Sequence, residues 1–227
     1  MISKIINLVL KNFLLKKQNE GIIKFLPEKF NTIVDIGTHH GELYSSLNKK
    51  SIKFDKYFMF EPLIDSFNVI DKIQDTRVTK FNLAISSQDG KKEFALNPLK
   101  MTSSFSEVNQ NLIKFKVKKL LFKGKTIKKV VETKKLDNFE FESSENNFLK
   151  IDTEGHELEV LYGSSNHLKK GTFKYLLLEI QKPNTYKQYD PKHIYDYLDQ
   201  YSYIALKEFK VPLFGFSDVL FVQKLHD

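Results

Sequence analysis

The chain of 227 residues contains no cysteine. Disulfide bonds, zinc sites built from thiolates and cysteine nucleophiles are therefore excluded. The absence also fits a reducing compartment, and the N-terminal region has no small-residue cleavage site of the kind that ends a signal peptide. We therefore expect a cytoplasmic protein.

Arginine is almost absent too, since Arg77 is the only arginine among 36 basic residues. The net charge of +8 favours anionic partners such as phosphates, acidic glycans, nucleic acid or an anionic membrane surface. The lack of guanidinium groups weakens the case for nucleic acid, because ammonium groups cannot make the bidentate contacts that guanidinium makes. Biased codon usage would produce the same lysine excess.

No hydrophobic run is long enough to span a bilayer, because Lys11 interrupts the apolar residues near the N-terminus. Residues 1–29 are predicted to form a helical extension, in which the apolar side chains share one face. This face packs on the domain or, in the alternative, residues 1–19 contact a membrane surface. Its members are Ile2, Ile5, Ile6, Val9, Leu10, Phe13 and Leu14.

From residue 30 onward, strand and helix patterns alternate. Short apolar strands are predicted at NTIVDIG (31–37), KYFMFEP (56–62) and RVTKFNLAIS (77–86), with amphipathic helices at GELYSSLNKK (41–50) and LIDSFNVIDKI (63–73). Such alternation predicts a parallel sheet with right-handed crossover connections.

Residues 86–135 interrupt this alternation and are interpreted as a Lys-rich insertion. Residues 114–135 carry ten lysines and a single acid, Glu132. The region has too few apolar residues for a core of its own, so we predict one domain over residues 1–227. The lysines form either a solvated face or a docking surface for an anionic substrate or partner.

The alternation resumes after the insertion. Strands are predicted at NNFLKIDTEG (146–155) and KYLLLEIQKP (174–183), each followed by a helix, at 156–171 and 190–201. YIALKEF (203–209) and SDVLFVQKL (217–225) are predicted to form an antiparallel hairpin. The predicted fold is α/β, with a mostly parallel seven-stranded sheet, a C-terminal antiparallel hairpin and an N-terminal helical extension.

The segment VDIGTHHGE (34–42) places two glycines between a predicted strand and a helix. Gly37 allows a sharp turn, and Gly41 is predicted to let a ligand approach the helix N-terminus without meeting a Cβ atom. Glu61 ends the second strand twenty residues later, where a carboxylate accepts the hydroxyls of a ribose. This pattern indicates a cofactor that contains adenosine.

The spacing of the glycines favours one cofactor of this kind. A dinucleotide-binding turn has a close third glycine that admits the pyrophosphate, and this chain has the bulky His39 there. The wider spacing suits a cofactor without a pyrophosphate, of which S-adenosylmethionine is the common one. The predicted C-terminal hairpin is also typical of methyltransferase sheets.

Several segments resemble the FkbM family of S-adenosylmethionine-dependent methyltransferases. In chain order they are VDIGTHHGE, FMFEP, FNLAISSQDGKKEF, the serine pair 103–104, TKKLDNF, LKIDTEGHELEVLYGS and LLLEI. The resemblance covers about residues 30–181 and implies a Rossmann-like class I methyltransferase fold. It also implies O-methylation of a hydroxyl on a sugar, a glycan or a secondary metabolite.

The resemblance assigns cofactor contacts to motif positions. They are Asp35, Gly37, Thr38, His39, Gly41, Glu61, Pro62, Asn82, Ala84 and Asp152. Asn82 and Ala84, at the end of the third strand, would border the adenine. The family often has Ala-Asn at the positions of Thr38 and His39, so this chain departs from the family at this turn.

Three candidate catalytic residues, Asp152, Glu154 and His156, follow the fourth strand of the predicted sheet. Methyl transfer to an alcohol needs an aligned oxygen and a base for its proton. Asp152 either orients the acceptor or acts as that base. Glu154 is a second candidate or, like Glu157, a residue that caps the helix; His156 is a base or an exposed helix residue.

The roles of Glu179 and of the two adjacent histidines stay open. Glu179 ends the fifth strand and either lines the acceptor pocket or bonds to the backbone at the sheet edge. His39 is predicted to lie near the methionine part of the cofactor, and His40 on the surface. No metal site is predicted, because adjacent turn residues are expected to point apart and no carboxylate partner is apparent.

Two other functions compete with a small-molecule methyltransferase. The lysines of residues 114–135 suggest a nucleic-acid methyltransferase, but few aromatic residues are interleaved with them and no cysteine is available to attack a pyrimidine. A non-catalytic binding module on the same scaffold is the third possibility. The presence of Gly37, Gly41, Glu61 and Asp152 argues against it.

Overall fold

The structure is a computed structural model, which describes residues 21–96, 105–106, 127–187, 189–210 and 215–224. The amphipathic face predicted over residues 1–19 and most of the lysine-rich segment 114–135 lie outside the described residues. The end of the predicted extension is described: Ile22, Ile23 and Leu26 are buried in the core beside Phe30.

A seven-stranded sheet forms the centre of the protein. Its strands are β1 (Lys29–Ile36), β2 (Lys53–Phe60), β3 (Val78–Phe81), β7 (Ser144–Ile151), β8 (Phe173–Gln181), β9 (Tyr203–Lys210) and β10 (Phe216–Gln223). Their order is β3-β2-β1-β7-β8-β10-β9. All neighbours are parallel except β10, which runs antiparallel to both β8 and β9. The predicted fold and C-terminal hairpin are confirmed.

The strand predicted over residues 77–86 is wrong in one respect, because it divides at Asn82. The Asn82 amide donates hydrogen bonds to the backbone oxygens of Glu61 and Pro62, which ends the pairing of β3 with β2. The chain then enters a second sheet of three strands in the order β4-β6-β5. Its strands are β4 (Ala84–Ile85), β5 (Gly90–Leu96) and β6 (Ile127–Lys134), so most of this sheet belongs to the predicted insertion.

Besides the helical residues 21–23 and the short 3-10 helix Leu136–Asn138, five α-helices pack on the main sheet in the described part of the chain. They are α1 (Glu42–Lys49), α2 (Ile64–Ile70), α3 (Glu157–Tyr162), α4 (Ser165–Lys170) and α5 (Lys192–Asp199). None of these is long and apolar enough to cross a membrane. The buried side chains form three clusters, and β1, β7 and β8 each contribute residues to two of them.

The single helix predicted over residues 156–171 is wrong, because it breaks between α3 and α4. A Cβ atom on Gly163 would lie 2.1 Å from the backbone oxygen of Ser86, so the small sheet touches the helix end at this point. The Ser164 hydroxyl donates to the backbone oxygen of Val160 and competes with the helical pattern. The Asp137 carboxylate then accepts the backbone N–H groups that begin α4.

Candidate functional site

A cavity of about 550 Å³ opens at the carboxyl ends of the parallel strands. This volume is within the range of small-molecule sites, and ligands bind at this edge of open α/β sheets. One side of the cavity is lined by the loop after β1, by the end of β2 and by residues 83–85. The other side is lined by Asp152, Glu154, Glu179 and Asp218.

The two glycines of the first loop have different structural roles. Gly37 has a φ of +74°, and a Cβ atom there would lie 1.9 Å from the backbone oxygen of Asp152. Gly41 has a φ of +79°, but its Cβ would make ordinary contacts of 3.6 Å with Ile70 and Ile73. Gly41 is therefore required for the left-handed backbone that begins α1, and not for the approach of a ligand as predicted.

The backbone N–H groups of this loop all donate within the protein. Gly37 and Thr38 donate to the Phe60 oxygen, His39 to Glu61 Oε2, His40 to Glu42 Oε2 and Gly41 to the Thr38 oxygen. Residues 37–41 therefore offer no free N–H group to a ligand.

Glu61 lies at the end of β2, lines the cavity and is 5% exposed. Its Oε1 accepts the N–H of Leu63 at 2.9 Å, and its Oε2 accepts the N–H of His39 at 3.0 Å. Burial raises the pKa of Glu61 to about 7, against the opposing effect of these hydrogen bonds. The carboxylate is held rigidly and has lone pairs left for a ligand.

Of three further residues predicted to contact the cofactor, two line the cavity and one does not. Pro62 and Ala84 line the cavity, together with the apolar side chains of Leu83 and Ile85. Asn82 is not among the lining residues, and its hydrogen bonds to Glu61 and Pro62 fix the backbone behind them.

Asp35 does not line the cavity, although a cofactor contact is predicted for it. Thr38 Oγ1 and the Tyr57 hydroxyl donate to its Oδ2 at 2.8 and 2.9 Å, and Lys150 Nζ donates to its Oδ1 at 3.2 Å. Lys150 Nζ also lies 3.3 Å from Asp152 Oδ2. Burial opposes the charge of Lys150, but Asp35 and Asp152 outweigh it and raise the pKa of this ammonium.

The loop after β7 has a left-handed turn at Glu154 and Gly155, with φ values of +54° and +94°. The Tyr186 hydroxyl donates to Glu154 Oε2 at 2.7 Å, and its ring leaves no space for a Cβ on Gly155. Glu157 is fully buried, and its Oε1 accepts the N–H groups of Thr153 and Gly155. Glu157 therefore organises the loop from inside and is not the surface residue that helix capping implies.

His156 is 7% exposed, so its interpretation as an exposed helix residue is wrong. Its Nε2 lies 3.0 Å from the Ser86 hydroxyl, its ring contacts Phe105, and it does not line the cavity. Burial, with a smaller effect of the Lys92 charge, lowers the pKa of His156 to about 3. The neutral imidazole connects α3 to the small sheet and lies away from the acceptor side of the cavity.

This placement predicts that His156→Gln retains turnover. We expect kcat to change less than about threefold, because no reacting atom contacts this ring, while the free energy of unfolding falls by about 1–3 kcal/mol. Initial rates and urea denaturation measure the two effects. A loss of more than about 100-fold in kcat, with the fold intact, would restore His156 as a base.

His39 and His40 do not point apart, so the geometric reason for predicting no metal is wrong. Their rings stack with centroids 3.8 Å apart, and His39 Nδ1 lies 2.8 Å from Glu42 Oε1. Possible ligand atoms of the three residues lie within 4.8 Å of one another. Stacked rings cannot both direct lone pairs at one ion about 2.1 Å away, so the rings would have to turn to bind a metal. The absence of a metal stays a prediction.

The reading of Glu179 as a cavity residue agrees with its position. Asp218, which the sequence gave no reason to select, lies opposite it on β10. Burial raises the pKa of Glu179, and burial with the nearby Asp152 raises that of Asp218 to about 7. Lys150 was also missed, although a lysine within the apolar run FLKI is an available signal.

The main sheet has one reversed strand, and a carboxylate stands at the end of β2 and another at the end of β7. These features define a Rossmann-like methyltransferase domain. The family model of the methyltransferase FkbM domain matches residues 35–205. The chain belongs to this family, and S-adenosylmethionine is the cofactor of its class.

Solved structures share the fold at low sequence identity. The FkbM methyltransferase from Methylobacillus flagellatus KT is 15% identical with a TM-score of 0.58, and the match covers 86% of this chain and 44% of that one. This chain therefore spans less than half of that protein.

Two further structures are similar over 93% of this chain. One is magnesium protoporphyrin IX methyltransferase from Synechocystis PCC 6803 with bound S-adenosylmethionine, at 8% identity, 81% coverage of that chain and a TM-score of 0.53. The other is a protein of the NADB-Rossmann superfamily from Streptococcus agalactiae, at 9% identity, 69% coverage and a TM-score of 0.53. Among curated proteins, no match to the chain was found.

Proposed function

We propose that the protein transfers the methyl group of S-adenosylmethionine to a hydroxyl of a sugar, a glycan or a secondary metabolite. The observation that carries this proposal is the position of Asp152. Its carboxylate lies at the end of the central strand β7 and lines the same cavity as Glu61. One cavity therefore holds a carboxylate for the ribose and a second carboxylate for the acceptor hydroxyl.

The residues of the cavity fit the cofactor. Leu83, Ala84 and Ile85 form an apolar wall for the adenine, and Glu61 accepts hydrogen bonds from the ribose hydroxyls. The loop after β1 has no free N–H group for a phosphate, as described above. When bound, the cofactor would supply an electrophilic methyl group on a sulfonium, with a neutral thioether as the leaving group.

The protein contributes orientation and a proton acceptor. The hydroxyl oxygen of the acceptor must lie about 3 Å from the methyl group and in line with the carbon–sulfur bond. Asp152 accepts the hydroxyl proton as the oxygen–carbon bond forms. Lys150, held between Asp35 and Asp152, fixes the direction of the Asp152 carboxylate.

The acidic lining of the cavity argues against the nucleic-acid alternative. Asp152, Glu154, Glu179 and Asp218 line the acceptor side, where those that are ionised would repel a phosphodiester. None of the described lysines of the Lys-rich insertion lines this cavity.

Calorimetric titration with S-adenosylmethionine, S-adenosylhomocysteine and NAD tests the cofactor. We expect the first two to bind and NAD not to bind. Binding of NAD alone would contradict the proposal. A lack of any binding, together with no gain in melting temperature at saturating S-adenosylmethionine, would favour the non-catalytic module.

Replacing Glu61 by glutamine is expected to weaken the binding of S-adenosylhomocysteine about 100-fold. Hydrogen bonds to a charged group contribute about 1.5–3 kcal/mol each, and the amide can accept at only one of its two ends. Glu142→Gln is the control, because the Glu142 side chain is 90% exposed and does not line this cavity. Equal affinities of the two variants for S-adenosylhomocysteine would show that Glu61 does not bind the cofactor.

The affinity of the wild type for S-adenosylhomocysteine is expected to increase as the pH rises through about 7. Burial raises the pKa of Glu61 to about 7, and only the ionised form accepts both ribose hydroxyls. Binding therefore releases a proton below this pH. Calorimetry one pH unit below and above this value measures the change, which Glu61→Gln should abolish.

A further inference from the structure

The Lys-rich insertion contributes two aromatic side chains to the cavity. Phe94 on β5 and Phe105 both line it. Their rings meet edge to face, with centroids 4.9 Å apart and an interplanar angle of 87°. Phe105 is half-buried and packs on a small cluster of buried side chains, which consists of Leu63, Ala84, Phe94 and Val131. The insertion therefore forms part of the cavity wall.

The cluster that carries these rings lies at the cofactor end of the cavity. Leu63 donates its backbone N–H to Glu61 Oε1 at 2.9 Å, and Glu61 is the carboxylate proposed for the ribose. Ala84 belongs to the apolar wall proposed for the adenine. Since both residues are members of the cluster, the two rings extend this wall beside the base of the cofactor.

Phe105 is held in place by contacts outside the cluster as well. Its ring lies against His156, with centroids 4.6 Å apart. The next residue, Ser106, donates from its hydroxyl to the backbone oxygen of Gly155 at 2.7 Å. A ring that is fixed before binding loses little conformational entropy when a ligand packs on it, so the contact contributes more to affinity.

An aromatic wall recognises one part of the cofactor in particular. Bases stack on aromatic side chains through their π faces, and this contact is stronger than packing on aliphatic groups alone. The ribose is polar and has the Glu61 carboxylate as its partner. Adenine is therefore the part that suits these rings.

We propose that the ring of Phe105 stacks on the adenine of the cofactor, so that the insertion completes the cofactor site and determines its selectivity for this base. Phe94 keeps the ring in place through their edge-to-face contact. The inference rests on the part of the proposed function that places S-adenosylmethionine in this cavity, and it is independent of the acceptor.

The test compares S-adenosylhomocysteine with S-ribosylhomocysteine, which lacks the adenine. Both are titrated by calorimetry into the full chain. We expect the wild type to bind S-adenosylhomocysteine at least about 100-fold more tightly. Phe105→Leu keeps an apolar side chain but removes the ring. It should weaken the binding of S-adenosylhomocysteine about 10-fold and change that of S-ribosylhomocysteine less than about threefold.

Two control variants separate stacking from a structural role of the ring. Phe105→Tyr keeps the ring and should keep the wild-type preference. Phe141→Leu removes another half-buried ring, which contacts Phe58 edge to face at 5.1 Å and also His167, but does not line this cavity. That variant should keep the preference too. The inference is overturned if Phe105→Leu keeps it, or if this variant weakens both ligands equally.

Hydrogen exchange gives a second readout on the insertion itself. At equal saturation, S-adenosylhomocysteine should slow the exchange of the β5 amides at least about threefold more than S-ribosylhomocysteine does, because only the former contacts the aromatic wall. Phe105→Leu should abolish this difference. Equal protection of β5 by the two ligands in the wild type would contradict the proposal.

Methyl transfer to sugar hydroxyls separates this inference from the proposed function. An adenine preference that depends on Phe105, without methylation of any hydroxyl, would refute the proposed function and leave the stacking contact standing. A preference that Phe105→Leu does not alter, together with methylation of a hydroxyl, would refute the contact and leave the proposed function standing. Failure of the wild type to bind S-adenosylhomocysteine would refute both.

Discussion

Asp152→Asn is expected to reduce kcat about 100- to 10,000-fold, the usual contribution of a general base. The amide keeps the size of the side chain, but it cannot take the proton of the acceptor hydroxyl. Binding of S-adenosylmethionine should change by less than about threefold, because Lys150 keeps its ion pair with Asp35. Single-turnover rates at saturating cofactor measure the loss at the chemical step.

A matched change elsewhere shows whether the loss is specific to this carboxylate. Asp71→Asn also replaces a carboxylate paired with a lysine, but its side chain is 62% exposed and lies outside the cavity. That variant should retain wild-type rates. Near-normal turnover of Asp152→Asn would show that Asp152 only orients the acceptor, and Glu154 would become the candidate base.

Gly37→Ala is expected to lower the free energy of unfolding by about 4 kcal/mol or more, and to prevent folding if the protein has little stability to spare. Two costs add at this position. The left-handed backbone disfavours any Cβ by about 1–2 kcal/mol. The new atom would also lie 1.9 Å from the backbone oxygen of Asp152, so the ends of β1 and β7 would have to separate.

Gly41→Ala is the control for this prediction. Gly41 has nearly the same φ as Gly37, but a Cβ atom on Gly41 would meet only side-chain atoms, at 3.6 Å or more. We expect a loss of about 1–2 kcal/mol, from the backbone alone. Urea denaturation of both variants measures the difference, and equal losses would show that the approach of Gly37 to Asp152 contributes nothing.

The sequence was most informative where a single residue ends a strand. Gly37, Glu61 and Asp152 each follow an apolar run, and parallel strands bring their carboxyl ends to one edge. The strand pattern and the motif order therefore predicted the fold, its family and one side of the cavity. The helix over residues 156–171 failed for a non-local reason, since the contact of Gly163 with Ser86 joins residues far apart in the chain.

The local sequence pattern predicted the burial of side chains least well. His156 and Glu157 follow a polar turn, and the sequence favours exposure for both. The small sheet covers His156 through Ser86, while Glu157 turns inward to accept the N–H groups of its own loop. The partner of His156, Ser86, is distant in the chain, so the local sequence does not distinguish this buried histidine from a solvated one.

The sequence by itself determined the succession of the main-sheet strands along the chain, the cofactor class and the carboxylates that end β2 and β7. Periodicity and turn chemistry are local, and they can be read without the fold. Only the tertiary structure decided that Lys150 joins Asp35 to Asp152 and that Asp218 faces Glu179. The reason is physical: the charge state and partners of a buried group depend on neighbours that the register of the sheet brings together, and register is a property of the whole fold.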